Sequence, residues 1–336
     1  MRLAALATHI PAGRIEIGDI VTAAGGNRAE AQVFRRLFGI EQVAAVPEGE
    51  TLPDQLSRIV EGLSRHHSGE APDAVIHVHG QPFQAAQSPL PALRHRHPFL
   101  RGLRRAYEVD QHNCSGFFWA LDLARTLLQG GLARSVLLLG GDSHIGLPMA
   151  DRYVPGCTMM GDAFCGMLVD LQPGGHRLGP VTLHTHPEFA RGRVGTTAEM
   201  GAFFAAHGQM VAHALEAAGF DWPGNTLLLA HNVNRLAWEM FCRAQGVAPS
   251  RVRLDLLPEV GHCYVCDPFL LLDTVLAEGL PPGAAPMLTS VGMGGYVGAA
   301  RLTADPTVAM IPPSAEARRP APGPQSPALS SKEYAS

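Results

Sequence analysis

Short apolar strands alternate with amphipathic helical patterns along most of this 336-residue chain. The predicted strands are Ala74–His79, Ser135–Leu139, Gly166–Leu171, Thr226–Ala230, Val252–Leu257 and Pro286–Val291. The predicted helices are Asp54–Arg65, Cys114–Gln129, Met200–Ala218, Arg235–Ala244 and Pro268–Glu278. Strands without polar alternation are typical of sheets that are covered on both faces. The pattern therefore predicts an α/β fold with helices packed on each side of the sheet.

The order of these elements also repeats along the chain. A strand around His77 and a later strand around Leu137 have counterparts around Leu229 and Leu288, which lie 152 and 151 residues further on. Only element order and spacing carry this repeat, because the matched segments share no residue identity. The repeat predicts two similar halves that face each other across a pseudo-dyad.

Composition excludes several classes of function. With 26 basic and 30 acidic residues, the chain lacks the positive excess that drives nucleic-acid binding. Its one lysine, Lys332, lies in a Pro-, Ser- and Ala-rich stretch from about Pro312 that is typical of a flexible tail, so Schiff-base and phosphate-loop lysines are excluded from the folded part. Six scattered cysteines, and apolar runs too short to cross a membrane, predict a reduced, cytoplasmic protein.

The most informative segment is the one that leads into the predicted helix at Cys114. A polar turn precedes this cysteine, and an apolar helical pattern follows it. A thiol at a helix N-terminus has a lowered pKa and becomes a usable nucleophile near neutral pH. The alternative is an inert, buried cysteine, and spacing alone does not choose between the two.

Two histidines and a glycine-rich segment follow strands or turns later in the chain. His231 lies directly after a buried strand, where catalytic groups collect in open α/β sheets, although a core histidine is the alternative. His262 lies in a turn before the next helix, and the predicted pseudo-dyad would bring it to the same cleft as Cys114. The amides of the segment 290–298 could form an oxyanion hole.

Six motifs occur in an order that resembles the thiolase superfamily, and most closely the 3-oxoacyl-acyl-carrier-protein synthase III (beta-ketoacyl synthase III) group. The motifs are CSGFFWALDLA, LLLGGDS, DRYVPGCTMMGDAFCGMLV, AHNVNRL, GH and GMGGYVGA, and the resemblance covers about residues 1–303. It implies a thiolase-like fold with two pseudo-symmetric α/β halves layered α-β-α-β-α. We expect the halves at 1–172 and 173–311 and the tail at 312–336. The resemblance also implies a homodimer.

The resemblance assigns roles to individual residues. It implies that Cys114 accepts the acyl group, that His231 is a catalytic base, and that the amides of Cys114 and Gly294 form the oxyanion hole. Arg152 matches a substrate-contacting arginine of the family, and Arg235, near the expected entrance, is a second candidate for substrate or carrier binding. The implied substrates are thioesters of coenzyme A or acyl carrier protein, with no further cofactor.

The chain departs from the family pattern at several positions. Where the family has Gly-Asn, this chain has Gly261 and His262, so the expected triad is Cys-His-His. The residues after His262 are Cys-Tyr-Val-Cys-Asp-Pro, which alters the pocket, and Val33 replaces a tryptophan that stacks on coenzyme A in the family. The spacing of 117 residues between Cys114 and His231 is short, which predicts a trimmed cap over the acyl pocket.

Three histidine pairs have the H-x-H spacing that can hold a metal ion. They are His77/His79, His95/His97 and His184/His186. An H-x-H on a strand places both rings on one face, but no third ligand has a fitting spacing in the sequence. We therefore expect structural or surface roles for these pairs and no metal ion.

Three functions remain open from the sequence. The first is an acyl-thioester transferase of the synthase III type, which loads an acyl group on Cys114 and condenses it with a malonyl-type thioester in fatty-acid-like or polyketide metabolism. The second is a non-condensing acyltransferase with a hydroxyl or amine acceptor. The third is a non-catalytic partner subunit in a carrier-protein complex, which the retention of Cys114, His231 and His262 disfavours.

Overall fold

A computed structural model describes residues 1–67, 69, 71–80, 88–280 and 284–305. The predicted tail from Pro312 onward lies outside these residues. No helix in the described part of the chain has both the length and the apolar character needed to cross a membrane.

The described strands and helices have the following bounds. The strands are β1 Arg2–His9, β2 Gly13–Glu16, β3 Gln42–Ala45, β4 Ala74–Val78, β5 Arg105–Val109, β6 Ser135–Asp142, β7 Tyr153–Val154, β8 Thr158–Met159, β9 Ala163–Asp170, β10 His176–Thr185, β11 Leu228–Ala230, β12 Val252–Arg253, β13 Met287–Gly292 and β14 Tyr296–Thr303. The α-helices are α1 Ile17–Ala23, α2 Arg28–Val33, α3 Leu52–His66, α4 Leu90–Arg96, α5 Gly116–Gln129, α6 Thr197–Ala217, α7 Arg235–Gln245, α8 Leu257–Val260 and α9 Asp267–Glu278.

The main sheet repeats one topology in two halves. Its strand order is β12-β11-β13-β14-β10-β1-β9-β6-β4-β5. Each half contributes five strands whose order from the centre outward is first, fifth, fourth, second and third in the chain. The second strand of each half pairs in parallel with the third and the fourth, and the other pairs are antiparallel. The halves meet where β1 pairs with β10, and the predicted pseudo-symmetric fold is confirmed.

Two apolar helices occupy the middle layer between the halves. Helix α5 contacts β4 and β6 of the first half and β10 and β14 of the second, and α9 contacts β1, β11 and β13. Helix α3 covers β1 and β9 on one outer face, while α6 covers β13 and β14 on the other. All eight residues of β6 and all eight residues of β9 are buried, because helices cover both faces of these strands.

The strands that sequence patterns missed have compositions that do not indicate a strand. Strand β1 is rich in alanine and leucine, which favour helices, and it is a strand because β9 and β10 pair with it. Strand β10 contains Gly179 and Pro180, and its register with β14 shifts between Leu178 and Val181. The predicted strand from Val252 ends at Arg253, since α8 begins four residues later.

The contact between α5 and α9 should be a main source of stability. Phe269 on α9 is fully buried, with its ring centroid 4.3 Å from that of Phe117 and 6.0 Å from that of Phe118. Phe269→Ala should lower the free energy of unfolding by about 3–5 kcal/mol, because it leaves a cavity in a core that cannot collapse. Urea unfolding measures this loss as a lower midpoint at constant slope. The control Leu132→Ala, at an exposed position, should change stability by no more than about 0.5 kcal/mol, and an equal effect of both changes would contradict the packing argument.

Candidate active site

Cys114 lies in a 3-10 turn directly before α5. The preceding residue, Asn113, has a φ of +48°, a left-handed conformation that asparagine tolerates better than most residues. The Asn113 side-chain amide donates to the Gly80 carbonyl at 2.9 Å, and its Oδ1 accepts from the Met293 amide at 3.1 Å. These bonds hold the turn between the end of β4 and the β13–β14 turn, so that the thiol is placed by both halves.

A histidine and a carboxylate extend from Cys114 as a hydrogen-bonded chain. His262 Nε2 lies 3.1 Å from Cys114 Sγ, and His262 Nδ1 lies 2.5 Å from Asp267 Oδ2. Asp267 is the first residue of α9 and is fully buried, and it also accepts the backbone amides of Asn232 at 2.6 Å and Cys263 at 2.8 Å. The arrangement is that of a Cys-His-Asp triad, in which the carboxylate orients the imidazole.

The two charged neighbours decide the protonation of His262. Burial disfavours its charged form, but the charges of Cys114 and Asp267 outweigh burial and raise the pKa of His262 to about 10. Nδ1 faces the carboxylate, so this imidazole presents Nε2 toward sulfur. A protonated imidazole at hydrogen-bond distance stabilises a thiolate and can return its proton to a leaving group.

His231 faces the same cavity but has a different partner. It follows β11 directly, and its Nε2 lies 3.1 Å from His207 Nε2 on α6. Burial lowers the pKa of His231 well below its usual value and that of His207 to about 4, so both rings are neutral near pH 7. In the described part of the chain, no hydrogen bond joins His231 to Cys114; the ring centroids of His231 and His262 are 5.8 Å apart. The three predicted residues, Cys114, His231 and His262, all lie at one cavity. The hydrogen-bonded chain, however, runs from Cys114 through His262 to Asp267 and does not include His231.

A cavity of about 100 Å³ opens beside these groups. Its polar lining includes Cys114, His207, His231 and His262, and its apolar lining includes Val154, Met160, Phe203, Phe204, Val291 and Met293. Cys157 also lines it, but burial raises the pKa of that thiol to about 12, so it stays protonated and is no second nucleophile.

Comparisons with known proteins point to one family. A family model described as 3-oxoacyl-[acyl-carrier-protein] synthase III matches residues 110–187, which include the Cys114 turn. The curated beta-ketoacyl-[acyl-carrier-protein] synthase III of Rhizorhabdus wittichii is 26% identical over 218 residues, or 59% of this chain, and that of Rhodospirillum rubrum is 24% identical over 213 residues, or 56%. These matches span 66% and 64% of the relatives' own lengths. The chain is similar to beta-ketoacyl synthase III.

Solved structures agree on the fold of this synthase III-like chain. The synthase III of Thermus thermophilus superposes with a TM-score of 0.74 at 22% identity, covering 91% of this chain and all of that one. The acyltransferase ChlB3 superposes with a TM-score of 0.73 at 22% identity, covering 90% of this chain and 97% of that one. The superpositions establish that the fold is shared. At identities this low, they establish the fold alone.

Two further predicted site residues lie close to the cavity without a demonstrated substrate contact. Gly294 has a φ of +106° in the β13–β14 turn, a conformation that favours glycine, and its neighbour Met293 lines the cavity while Gly294 does not. Arg235 begins α7 at the surface, where it donates to the Arg36 carbonyl and lies 3.6 Å from Glu239. Their oxyanion and substrate-binding roles stay predictions.

Arg152 pairs with a buried carboxylate, and the substrate contact expected for it stays a prediction. It is buried, and its guanidinium donates to both carboxylate oxygens of Asp162 at 2.9 and 2.8 Å and to the Met160 carbonyl at 3.0 Å. Because burying an unpaired charge is costly, this bidentate pair offsets the burial of the guanidinium. Through its bond to the Met160 carbonyl, Arg152 also contacts a residue that lines the cavity.

Sequence reasoning missed Asp267 and His207. Asp267 lies five residues after His262 at the start of a helix, where an acidic residue is commonly a helix-dipole partner. The signal was present in the segment after His262, but only the fold shows that the carboxylate turns back to the imidazole. His207 carries no local signal, because its position within α6 becomes meaningful only when that helix packs against β11.

The two charges beside His262 should be separable by titration. Asp267→Asn and Cys114→Ala each remove one negative neighbour, so the pKa of His262 should fall below about 10 in both variants, and its imidazolium should be lost at lower pH. NMR titration of the His262 ring measures this shift. The control Asp122→Asn, at an exposed position of α5, should leave the titration unchanged. A His262 pKa that moves in neither variant would refute the triad.

Proposed function

We propose that this chain is an acyl-thioester transferase that forms a covalent acyl intermediate on Cys114. The observation that carries the proposal is the hydrogen-bonded series Cys114–His262–Asp267 at the wall of an apolar cavity. The curated relatives named beta-ketoacyl-acyl-carrier-protein synthase III support a thioester of acyl carrier protein or coenzyme A as the donor. The intact triad disfavours a non-catalytic subunit.

The first half-reaction loads the acyl group. The Cys114 thiolate attacks the thioester carbonyl, so that a carbon–sulfur bond to Cys114 forms and the bond to the carrier sulfur breaks. The His262 imidazolium gives its Nε2 proton to the departing thiolate, which leaves as a thiol. Asp267 holds the imidazole in this tautomer and stabilises its charged form.

We propose a hydroxyl or amine as the acceptor of the second half-reaction. His262 is neutral after acylation, and its Nε2 can take the acceptor's proton while the acceptor attacks the Cys114 thioester. The collapse of the tetrahedral intermediate then expels the Cys114 thiolate beside the restored imidazolium. A base oriented by a buried carboxylate is suited to this proton transfer. The structural similarity to the acyltransferase ChlB3 accords with this choice.

Condensation with a malonyl-type thioester is the second candidate. It is favoured by the names of the curated relatives and by the position of His231, whose ring centroid is 5.8 Å from that of His262 on one cavity wall. Two imidazoles so placed could both donate to a malonyl carbonyl. His231 would first have to exchange its bond with His207 for one to substrate. This requirement places condensation second.

The cavity supports a short, apolar acyl group. Its volume is about 100 Å³, and its lining includes the apolar side chains of Phe203 and Phe204. An apolar protein cavity of roughly 150 Å³ holds one benzene molecule. A group of a few carbons therefore fits beside Cys114. The homodimer that the family resemblance implies stays a prediction.

The covalent intermediate can be detected directly. Incubation with short-chain acyl-coenzyme A should raise the intact mass of the full-length protein by one acyl group, and Cys114→Ala should abolish this increase. Cys157→Ala is the matched control, because Cys157 lines the same cavity with a thiol that stays protonated, and it should acylate normally. An adduct that persists in Cys114→Ala and disappears in Cys157→Ala would reverse the assignment.

The choice of acceptor can be decided with labelled malonyl thioesters. A hydroxyl or amine acyltransferase should release no labelled carbon dioxide, and His262→Asn should be as inactive as His262→Ala in transfer to small alcohols and amines, because an amide is a poor base. Release by the wild type, suppressed about 10²–10³-fold in His262→Ala and partly restored in His262→Asn, would instead establish condensation. Intact-mass acylation of the wild type is the control that the preparation is competent, since His262 also takes part in acylation.

A further inference from the structure

Two histidines and a glutamate come together on the outer strand pair of the first half. His77 and His79 lie two residues apart at the end of β4, and Glu108 on β5 is the direct parallel partner of His77. We propose that His77, His79 and Glu108 form a binding site for a divalent transition-metal ion of the Zn²⁺ class. The proposal does not depend on the acyltransferase function.

The three side chains are already within reach of one ion. His77 Nδ1 lies 2.6 Å from Glu108 Oε2, His79 Nε2 lies 3.8 Å from the same oxygen, and one ligand atom from each residue lies within 4.8 Å of the other two. Zinc binds imidazole nitrogen and carboxylate oxygen at about 2.0–2.2 Å, which separates ligands of one ion by roughly 3.3 Å. To bind one ion, the 2.6 Å contact between His77 and Glu108 must therefore lengthen slightly, and the widest separation among the three ligand atoms must shorten. The half-exposed Glu108 side chain can rotate to make both changes.

The site has features of a held ligand set. The Ser88 hydroxyl donates to the other Glu108 oxygen at 2.6 Å, so the carboxylate is oriented from outside, as outer-shell partners orient metal ligands. His77 is 3% exposed, and in the described part of the chain its Nε2 has no hydrogen-bond partner.

The other H-x-H pairs lack such a third ligand. His97 bonds to Ser57 at 2.9 Å, and His184 stacks on His213 with centroids 4.6 Å apart. In the described ranges, the group at β4 and β5 is the one set of three metal-ligating side chains that meets the distance requirement. The third ligand was not visible from spacing because it comes from a neighbouring strand.

Binding at this site moves a proton within His77. The ion takes the place of the proton between His77 Nδ1 and Glu108, and the neutral imidazole then carries its proton on Nε2, while water can fill a remaining coordination position on the exposed side of Glu108. Two neutral imidazoles and one carboxylate suit Zn²⁺, Co²⁺ or Ni²⁺ better than Mg²⁺ or Ca²⁺, which prefer oxygen ligands. Affinity should decline at acid pH, because a protonated imidazole cannot bind the ion.

The experiment uses tag-free, full-length protein stripped of metal by a chelator. Zn²⁺ titration by calorimetry should show about one ion per chain, and Zn²⁺ should raise the melting temperature. Glu108→Gln is the decisive variant, because the amide oxygen can still accept from His77 and the amide NH2 can donate to the Ser88 hydroxyl, but the amide is a poor zinc ligand. It should lower zinc affinity by at least the roughly 10–100-fold expected of outer-shell changes, and His79→Ala should do the same. His95→Ala, in an exposed H-x-H pair, is the matched control and should bind normally.

Co²⁺ absorption distinguishes this site from the cavity thiols. Cobalt bound by two histidines and a carboxylate gives visible bands without the thiolate-to-metal band that Cys114 would add. The metal-free melting temperature of each variant checks that it folds. Absence of stoichiometric zinc uptake, uptake that is unchanged in both Glu108→Gln and His79→Ala, or a thiolate band would each overturn the proposal and leave His77 and Glu108 as a hydrogen-bonded pair only.

Discussion

The buried carboxylate of Asp267 is the interaction on which the rest of the site depends. A charge removed from water is tolerated only when it is paired and hydrogen-bonded, and Asp267 accepts two backbone amides in addition to His262. These amides come from the residue after His231 and the residue after His262, so one carboxylate ties together the end of β11, the turn before α9 and the imidazole that faces Cys114. Its negative charge also keeps that imidazole protonated.

The duplicated topology brings this carboxylate to the nucleophile. Helix α5 connects the third and fourth strands of the first half, and α9 connects the third and fourth strands of the second. Cys114 lies just before α5 and Asp267 begins α9, so the pseudo-dyad places the N-termini of two equivalent helices side by side in the middle layer. The positive ends of both helix dipoles then face a thiol and a carboxylate, the groups that such ends stabilise in their anionic forms.

The histidines of the cavity divide into two electrostatic states for the same reason. His262 has negative neighbours, which raise its pKa to about 10. The neighbour of His231 is another neutral imidazole, that of His207, and burial lowers the pKa of His231. His262 is therefore a charged partner of the Cys114 sulfur, whereas His231 is a neutral residue that lines the cavity and bonds to His207. The resemblance to the synthase III group assigned both to one triad, and the contacts of the described residues separate them.

Local patterns in the sequence determined the α/β class, the duplication and the position of Cys114 before an apolar helix, because periodicity and helix-start signals act over a few residues. The tertiary structure alone decided which distant groups bond: His262 and Cys114 are 148 residues apart, Arg152 turns to Asp162, and Glu108 reaches His77 across a strand pair. Strand β1 likewise owes its conformation to partners, since its alanine-rich sequence favours a helix. Hydrogen bonds between distant segments depend on how the layers pack, and the spacing of residues along the chain does not determine the distance between their atoms in space.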